Sequence, residues 1–209
     1  GPDDMVTFAF SYIPLHLPSG EFAGFVVVGQ DVTSQKREEL RLLELAERDP
    51  LTGLMNRAGF ERYLERAIHE GEGSRLALLY IDLDHFKPIN DRHGHPTGDK
   101  LLQHFAQRMR NLVRPSDAVA RLGGDEFAIL LHPMEKDQIA LDMALHLIET
   151  MREPIAIGDQ TINVGISIGV GLIPEHGENI DELLANADLA LMAAKNNGRG
   201  RAEVFARSL

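Results

Sequence analysis

The sequence contains no cysteine, which removes disulfides, thiolate metal sites and a cysteine nucleophile from consideration and fits a reducing compartment. It also lacks any apolar run approaching the ~20 residues that span a bilayer. FVVVG at Phe25–Gly29 is only the length of a strand, so no membrane segment is expected; a cytoplasmic location is expected, with the parent protein free to carry a membrane attachment elsewhere. Positive charge is scarce: 21 Lys and Arg against 32 Asp and Glu leave a net charge of -11. Such a surface repels a duplex backbone unless its few cations are segregated. A nucleic acid polymer is therefore not the expected partner, and a small phosphate ligand carried in with a divalent metal is. No Walker-type phosphate loop and no G-x-S-x-G elbow occurs. An initiator Met is missing too, and the opening Gly1-Pro2 reads as a scar of tag removal.

What is present is enough apolar material, 44% of 209 residues, for one domain with an appendage. Two strands are expected around Phe8–Pro14 and Gly24–Gln30, with Pro18-Ser19-Gly20 as the turn between them. Residues 34–48 read as a charged helix whose Leu40, Leu43, Leu45 and Ala46 form a narrow apolar stripe; this is either a solvated linker or a coiled-coil seam joining two chains.

From Asp49 the periodicity alternates. Phe60, Leu64 and Ile68 mark a helical face ended by Gly71, and LALLYID at 76–82 is a continuous apolar run closing on an acid, as in a buried strand. Leu101, Leu102, Phe105, Met109, Leu112 and Val113 keep a helical stripe. AVAR (118–121) and FAILLH (127–132) flank a Gly-Gly pair as a hairpin would. A helix over Lys136–Arg152 follows. Ile162, Val164, Ile166, Ile168 and Val170 then alternate with small or polar residues, predicting a strand with one buried face. Asp181–Lys195 reads as a helix and Ala202–Phe205 as a final strand. The order predicts an α+β, ferredoxin-like or palm-type β-α-β-β-α-β core: a central, mainly antiparallel sheet flanked by helices.

Three stretches carry chemistry. In YIDLDHFKPIND, Asp82 and Asp84 lie two apart on an extended backbone, so both carboxylates should point to one side at the strand end. Hard oxygen ligands of that kind suit Mg²⁺, although acids also end strands merely to meet water. In RLGGDEF, a hairpin beside that strand would bring Asp125 and Glu126 to the same spot, where a divalent cation resolves the repulsion of gathered carboxylates. In FKPINDRHGHPTGDK, backbone amides at His85 and Phe86 with the Lys87 cation suit phosphate oxygens. Asn90 and Asp99 suit a purine edge, a carboxylate accepting the N1–H and 2-amino donors of guanine. Asp99 also reads as an acid at a helix start, and Lys195 and Arg199 as cations at a helix end. His93 and His95 are expected to be loop structure rather than a zinc pair.

The segments RDPLTGLMNR, YIDLDHFKPINDRHGHPTGD, RLGGDEF, SIGVGLIPEHG and NADLALMAAKNNGR together resemble the GGDEF family of diguanylate cyclases over Asp49–Phe205. The resemblance implies a dimer of such domains, each binding one GTP, that forms cyclic di-GMP and pyrophosphate with Mg²⁺, or Mn²⁺ as a substitute. It implies metal ligation by Asp82, the Leu83 carbonyl and Asp125, with Glu126 either a further ligand or the activator of the 3′-hydroxyl. Lys87, Lys195 and Arg199 would hold the triphosphate, Asn90 and Asp99 would read guanine, and Gly123 and Gly124 would lie close to the nucleotide. Arg114-Pro115-Ser116-Asp117 resembles the family's R-x-x-D site at which cyclic di-GMP inhibits, with Arg114 and Asp117 as its ligands. Met192 stands where the family often has Tyr, and Pro88 is expected to stiffen the Lys87 loop. GFVVVGQDVTSQKREE resembles the last strand and exit of a PAS sensor. The expected organisation is thus a tag scar and sensor strands over 1–33, a linker helix over 34–48 and a cyclase domain over 49–209. The alternatives are a non-catalytic nucleotide-sensing module and a structural dimerisation module.

Overall fold

The computed structural model describes residues 6–70, 74–177 and 179–206. Gly1-Pro2, Gly71 and Leu209, which figure in the sequence reading, lie outside the described residues. The chain forms two compact units, one ending at Ala46 and one beginning at Glu47.

The first unit is a ribbon of β1 (Phe8–His16) and β2 (Phe22–Asp31), antiparallel with Tyr12 opposite Val27, followed by α1 (Thr33–Glu47). Alternating aromatic and β-branched residues favour the strands, and Gly20, at φ 87°, turns the chain between them. The Asp31 carboxylate accepts the Thr33 amide at 2.9 Å, and the Thr33 hydroxyl accepts the Thr7 amide at 2.9 Å, so the start of α1 is tied to both strands. Both faces of the ribbon carry exposed apolar side chains, Phe10 and Tyr12 on one and Ile13 and Val26 on the other.

In the second unit α2 (Arg57–Glu70) precedes β3 (Arg75–Leu83), and α3 (Phe86–His93) and α4 (His95–Leu112) follow it. The hairpin β4 (Ala118–Gly123) and β5 (Glu126–Met134) leads to α5 (Gln138–Met151) and a small ribbon of β6 (Ile155–Ile157) and β7 (Gln160–Ile162). β8 (Ile166–Ile173), α6 (Ile180–Asn196) and β9 (Ala202–Val204) complete it. The sheet order is β4-β5-β3-β8-β9, with every pair antiparallel except β8-β9. This is the split β-α-β-β-α-β arrangement the sequence predicts.

β3 lies in the middle of the sheet and is buried on both faces, which is why it reads as an unbroken apolar run. Ala77, Leu79 and Ile81 join Leu101, Phe105, Leu147 and Ile148 in one core, while Leu76, Leu78 and Tyr80 join Phe60, Leu64, Leu183 and Leu191 in the other.

Three expectations are corrected. The run from Ile162 to Val170 is not one half-exposed strand: it divides into β7 and β8, and every residue of β8 is buried. Its small residues face α6, whose backbone comes so close that a Cβ on Gly169 would lie 2.0 Å from the Ala187 carbonyl oxygen and 2.3 Å from the Leu191 nitrogen. The alternation therefore records close approach of a helix rather than exposure to water. Second, residues 86–93 form a helix instead of a loop, so Pro88 sits in the first turn of α3, where a missing N–H costs nothing. Its apolar face is just Phe86 and Ile89, too short a run to reveal a period. Third, α4 starts at His95, not at Asp99, with Pro96 in its first turn, so Asp99 lies in the second turn and His93 and His95 belong to helices.

Gly169→Ala is expected to destabilise the domain by about 1–3 kcal/mol through overpacking, measured by urea unfolding. An unchanged midpoint would contradict the close contact of α6 with β8.

Candidate functional site

The carboxyl end of β3 and the hairpin turn meet because the register places Asp82 opposite Glu126 on one side and opposite Ser167 on the other. The turn is only Gly124-Asp125, with Gly124 in the left-handed region at φ 49°. Open space surrounds both Gly123 and Gly124, leaving their backbone approachable by a ligand. The Leu83 amide donates to the Asp125 carbonyl at 3.3 Å, which docks the turn against the strand end. Between them lies a depression of about 250 Å³, lined by Asp82, Leu83, Asp125, Lys87, Lys195 and Arg199 together with His85 and Phe86. The fold thus gathers one acid from β3, one from the hairpin and cations from α3 and the end of α6.

Lys195 donates to the Asp82 carboxylate at 2.7 Å. Burial nevertheless pushes the Asp82 carboxyl above its ordinary range; the Lys195 bond and charge pull it down, and the charges of Asp125 and Asp84 push it up again. A second cation in the depression would relieve that cost. Among the described residues no three Asp, Glu or His side chains converge tightly enough to ligate an ion by themselves. Two carboxylates and a carbonyl, with the other positions left to water and phosphate oxygens, are a donor set that fits Mg²⁺.

Asp84 does not share this role. β3 ends at Leu83, so the alternation that would aim Asp84 alongside Asp82 stops one residue short. Its buried carboxylate accepts the Ser167 hydroxyl at 2.7 Å and the Gly200 amide at 3.0 Å, which fixes the turn carrying Arg199.

Glu126 stands on the α2 side of the depression. The Tyr80 hydroxyl donates to one of its carboxylate oxygens at 3.3 Å, and the Arg57 guanidinium lies 3.7 Å from the same oxygen. Burial raises the Tyr80 phenol pKa, Arg57 lowers it and the Glu126 charge raises it, with a net upward shift that keeps the phenol a donor. Neither Tyr80 nor Arg57 was singled out from the sequence. Tyr80 was findable, because it is two residues before Asp82 and shares its face; Arg57 reaches the site only through the packing of α2.

His85, left-handed at φ 60°, turns the chain into α3, and the amides at the start of that helix, Phe86 and Lys87, have no intrahelical acceptor. Lys87 and His85 are exposed at the mouth of the depression, while the Phe86 ring is buried. Asn90 is packed against Gly98: a Cβ there would lie 1.8 Å from the Asn90 Oδ1. That oxygen is buried without a hydrogen-bond partner, an acceptor a ligand N–H could complete. Asp99 follows Gly98 on α4 and is exposed.

The Arg of RLGGDEF has a separate task. Arg121 donates through Nε and one terminal nitrogen to the Gly124 carbonyl at 3.0 and 2.8 Å, and through the other to both Asp49 oxygens at 3.2 and 3.1 Å. Asp49 also accepts the Thr52 amide at 2.9 Å and hydroxyl at 2.6 Å. RDPLTGLMNR is therefore a buttress: its Met55 carbonyl accepts the Arg121 amide at 2.8 Å along β4. Burial alone would raise the Asp49 carboxyl, but the Thr52 bonds and Arg121 together outweigh it and hold it below the ordinary range.

The R-x-x-D stretch forms a distinct cluster. The Asp117 carboxylate accepts the Arg114 amide at 2.9 Å and the His132 amide at 3.3 Å, so it closes a turn, while the Arg114 side chain is exposed. A depression of about 280 Å³ there is lined by Arg48, Arg110 and Arg114 besides Asp117. Arg110 lies one helical turn before Arg114, whereas Arg48 comes from a distant segment with no signal in the sequence.

Residues 46–201 match the family described as "Diguanylate cyclase, GGDEF domain". The chain is 46% identical over 166 residues to diguanylate cyclase TpbB of Pseudomonas aeruginosa, covering 78% of this chain but only 38% of that protein. The solved GGDEF domain of TpbB superposes with a TM-score of 0.74 at 44% identity, covering 76% of this chain and 94% of that one. The coiled coil and GGDEF domain of DgcB from Caulobacter crescentus, solved in complex with c-di-GMP, gives a TM-score of 0.73 at 30% identity, covering 82% and 92%.

The ionised Asp49 adds stability that is complete above the ordinary carboxyl pKa of about 3.9 and is lost as pH falls through its lower folded-state value. Asp49→Asn is expected to cost about 2 kcal/mol at pH 7. That deficit against wild type should close as both are acidified through the lowered folded-state value, in urea unfolding followed by circular dichroism. A deficit that persists unchanged in acid would refute the charged buttress.

Proposed function

Because the chain belongs to the GGDEF diguanylate cyclase family, we propose that it condenses two GTP molecules into cyclic di-GMP with release of two pyrophosphates. The observation that carries this reading is the convergence of Asp82, Asp125 and Lys195 in one depression at the end of β3. Each domain supplies half of the reaction centre, so two copies must face one another with one GTP in each. The 3′-hydroxyl oxygen of one nucleotide bonds to the α-phosphorus of the other. The bond from that phosphorus to the bridging oxygen breaks, and pyrophosphate leaves with the electron pair.

Asp82, Asp125 and the Leu83 carbonyl would hold Mg²⁺ or Mn²⁺, with Glu126 as the further ligand or the activator of the hydroxyl; such an ion neutralises phosphate charge and acidifies the attacking hydroxyl. Glu126, fixed through one oxygen by Tyr80 and Arg57, offers the other to that hydroxyl and accepts its proton. Lys87, Lys195, Arg199 and the amides at His85 and Phe86 hold the triphosphate. Asn90 and Asp99 read the guanine edge, with Gly98 keeping room for Asn90, and Gly123 and Gly124 let the backbone lie against the nucleotide. Bringing two half-sites together supplies the proximity contribution, for which α1 would pair two chains as a linker. The β1–β2 ribbon would be the end of a PAS-like sensor, its exposed apolar faces being consistent with a place inside a larger sheet. The GTP supply places the cyclase domain in the cytoplasm; among the described residues no helix is long and apolar enough to cross a membrane.

Product inhibition is assigned to Arg114 and Asp117, and the neighbouring Arg48 and Arg110 would complete a cationic pocket for cyclic di-GMP. The rival reading, a non-catalytic nucleotide sensor, is disfavoured by the intact Asp82, Asp125 and Glu126.

Incubation with GTP and Mg²⁺, followed by chromatography, should yield cyclic di-GMP. Absence of product even at high protein concentration would favour the sensor. Asp82→Asn is expected to cut turnover by at least about 100-fold without lowering the thermal midpoint, since it removes a carboxylate whose ionisation burial opposes. Arg114→Ala should weaken cyclic di-GMP binding and spare initial turnover; equal binding by mutant and wild type would rule out the inhibitory assignment.

A further inference from the structure

A second, larger pocket adjoins the depression described above. It lies between α3 and the β7–β8 link, has a volume of about 530 Å³, and shares His85, Pro88 and Arg199 with that depression. Its floor is apolar, made by Ile89, Ile162 and Val164, and its rim carries Arg92, His93 and Arg199. The Gln160 side-chain oxygen meets the His93 Nδ1 at 2.8 Å, which pins the end of α3 to β7 and closes the far wall. The acid that borders the pocket, Asp84, has its carboxylate oxygens turned into the Ser167 hydroxyl and the Gly200 amide.

On this acidic chain several cations near the site are compensated by an acid: Arg57 stands beside Glu126, and Lys195 holds Asp82. Arg92 and Arg199 make no side-chain hydrogen bond or ion pair among the described residues. Two uncompensated guanidiniums at one pocket, on an otherwise acidic protein, concentrate small anions there, and guanidinium forks match phosphate oxygens.

We propose that this pocket is an exit subsite for the leaving pyrophosphate, receiving it from the depression through the shared Arg199. The inference rests on the cyclase reading for the source of the anion, but not for its binding. Arg199 belongs to both spaces, so it can keep hold of the anion while the other contacts change. Arg92, one α-helical turn beyond Pro88, supplies the second guanidinium, and the pocket is roomy enough to accept the anion without displacing a nucleotide from the first depression. Arg92 is thus a product-binding residue that takes no part in holding GTP.

The test uses inorganic pyrophosphate and a non-hydrolysable GTP analogue, each titrated calorimetrically into wild type, Arg92→Gln and Arg92→Lys. Arg92 is exposed, so neither variant should disturb folding. The expected result is pyrophosphate binding weakened at least about fivefold by Arg92→Gln and less by Arg92→Lys, which keeps the charge but loses the fork, with analogue affinity unchanged. In turnover, the inhibition constant for added pyrophosphate should rise by the same factor while the KM for GTP stays put. Unchanged pyrophosphate binding in Arg92→Gln would overturn the proposal, as would parallel weakening of pyrophosphate and analogue. If no protein bound the analogue, the cyclase reading would fail, while the Arg92 dependence of pyrophosphate binding would still decide the pocket.

Discussion

Arg121 is the side chain on which the geometry of the site depends. It reaches across the mouth of the β4–β5 hairpin to the Gly124 carbonyl and back to Asp49, joining the turn that carries Asp125 to the first loop of the domain. A two-residue turn with glycine in the left-handed region has little stiffness of its own. Arg121 and Asp49 are both mostly buried, with side-chain exposures of 14% and 16%, so their pairing is shielded from the solvent screening that weakens surface ion pairs. The position of Asp125 relative to Asp82 is therefore fixed by a clamp outside the depression, which leaves the acids themselves available for ligands.

The remainder of the site hangs from β3. Its central place in the sheet puts Tyr80 and Asp82 in line on one face, and the two-sided burial that holds it leaves Asp82 as the point where the buried strand meets solvent. On the neighbouring strand, Ser167 and the glycines of β8 serve different ends. Ser167 orients Asp84, which in turn fixes Gly200 and the Arg199 turn; Gly169 admits α6, which delivers Lys195. Cation placement at the site is thus a consequence of backbone packing some distance from it.

Much of this was legible in the sequence. The β3 run, the hairpin and its acids, the α4 stripe and the sheet order follow from apolar periodicity and from turn residues, which are local signals. The failures are equally physical. Helix α3 has an apolar face of only two residues, Phe86 and Ile89; the alternation through β8 reflects a helix pressed on glycines rather than a wet face; Asp84 departs from Asp82 because the strand stops between them. Arg57 and Arg48 act through tertiary approach alone, and a chain-order reading has no access to that. The pairing of Arg121 with Asp49, separated by 72 positions, is of the same kind, although both residues lie in segments whose resemblance to the family was plain.

The upward shift of Asp82 ties the durability of the fold to its ligands. Its folded-state value lies above the unfolded one, so the folded chain holds that proton more tightly, and the site costs stability once pH has risen through the folded value and Lys195 only partly offsets the burial of the charge. A cation held between Asp82 and Asp125 would offset that cost, so an ion bound there would brace the fold as well as serve the site.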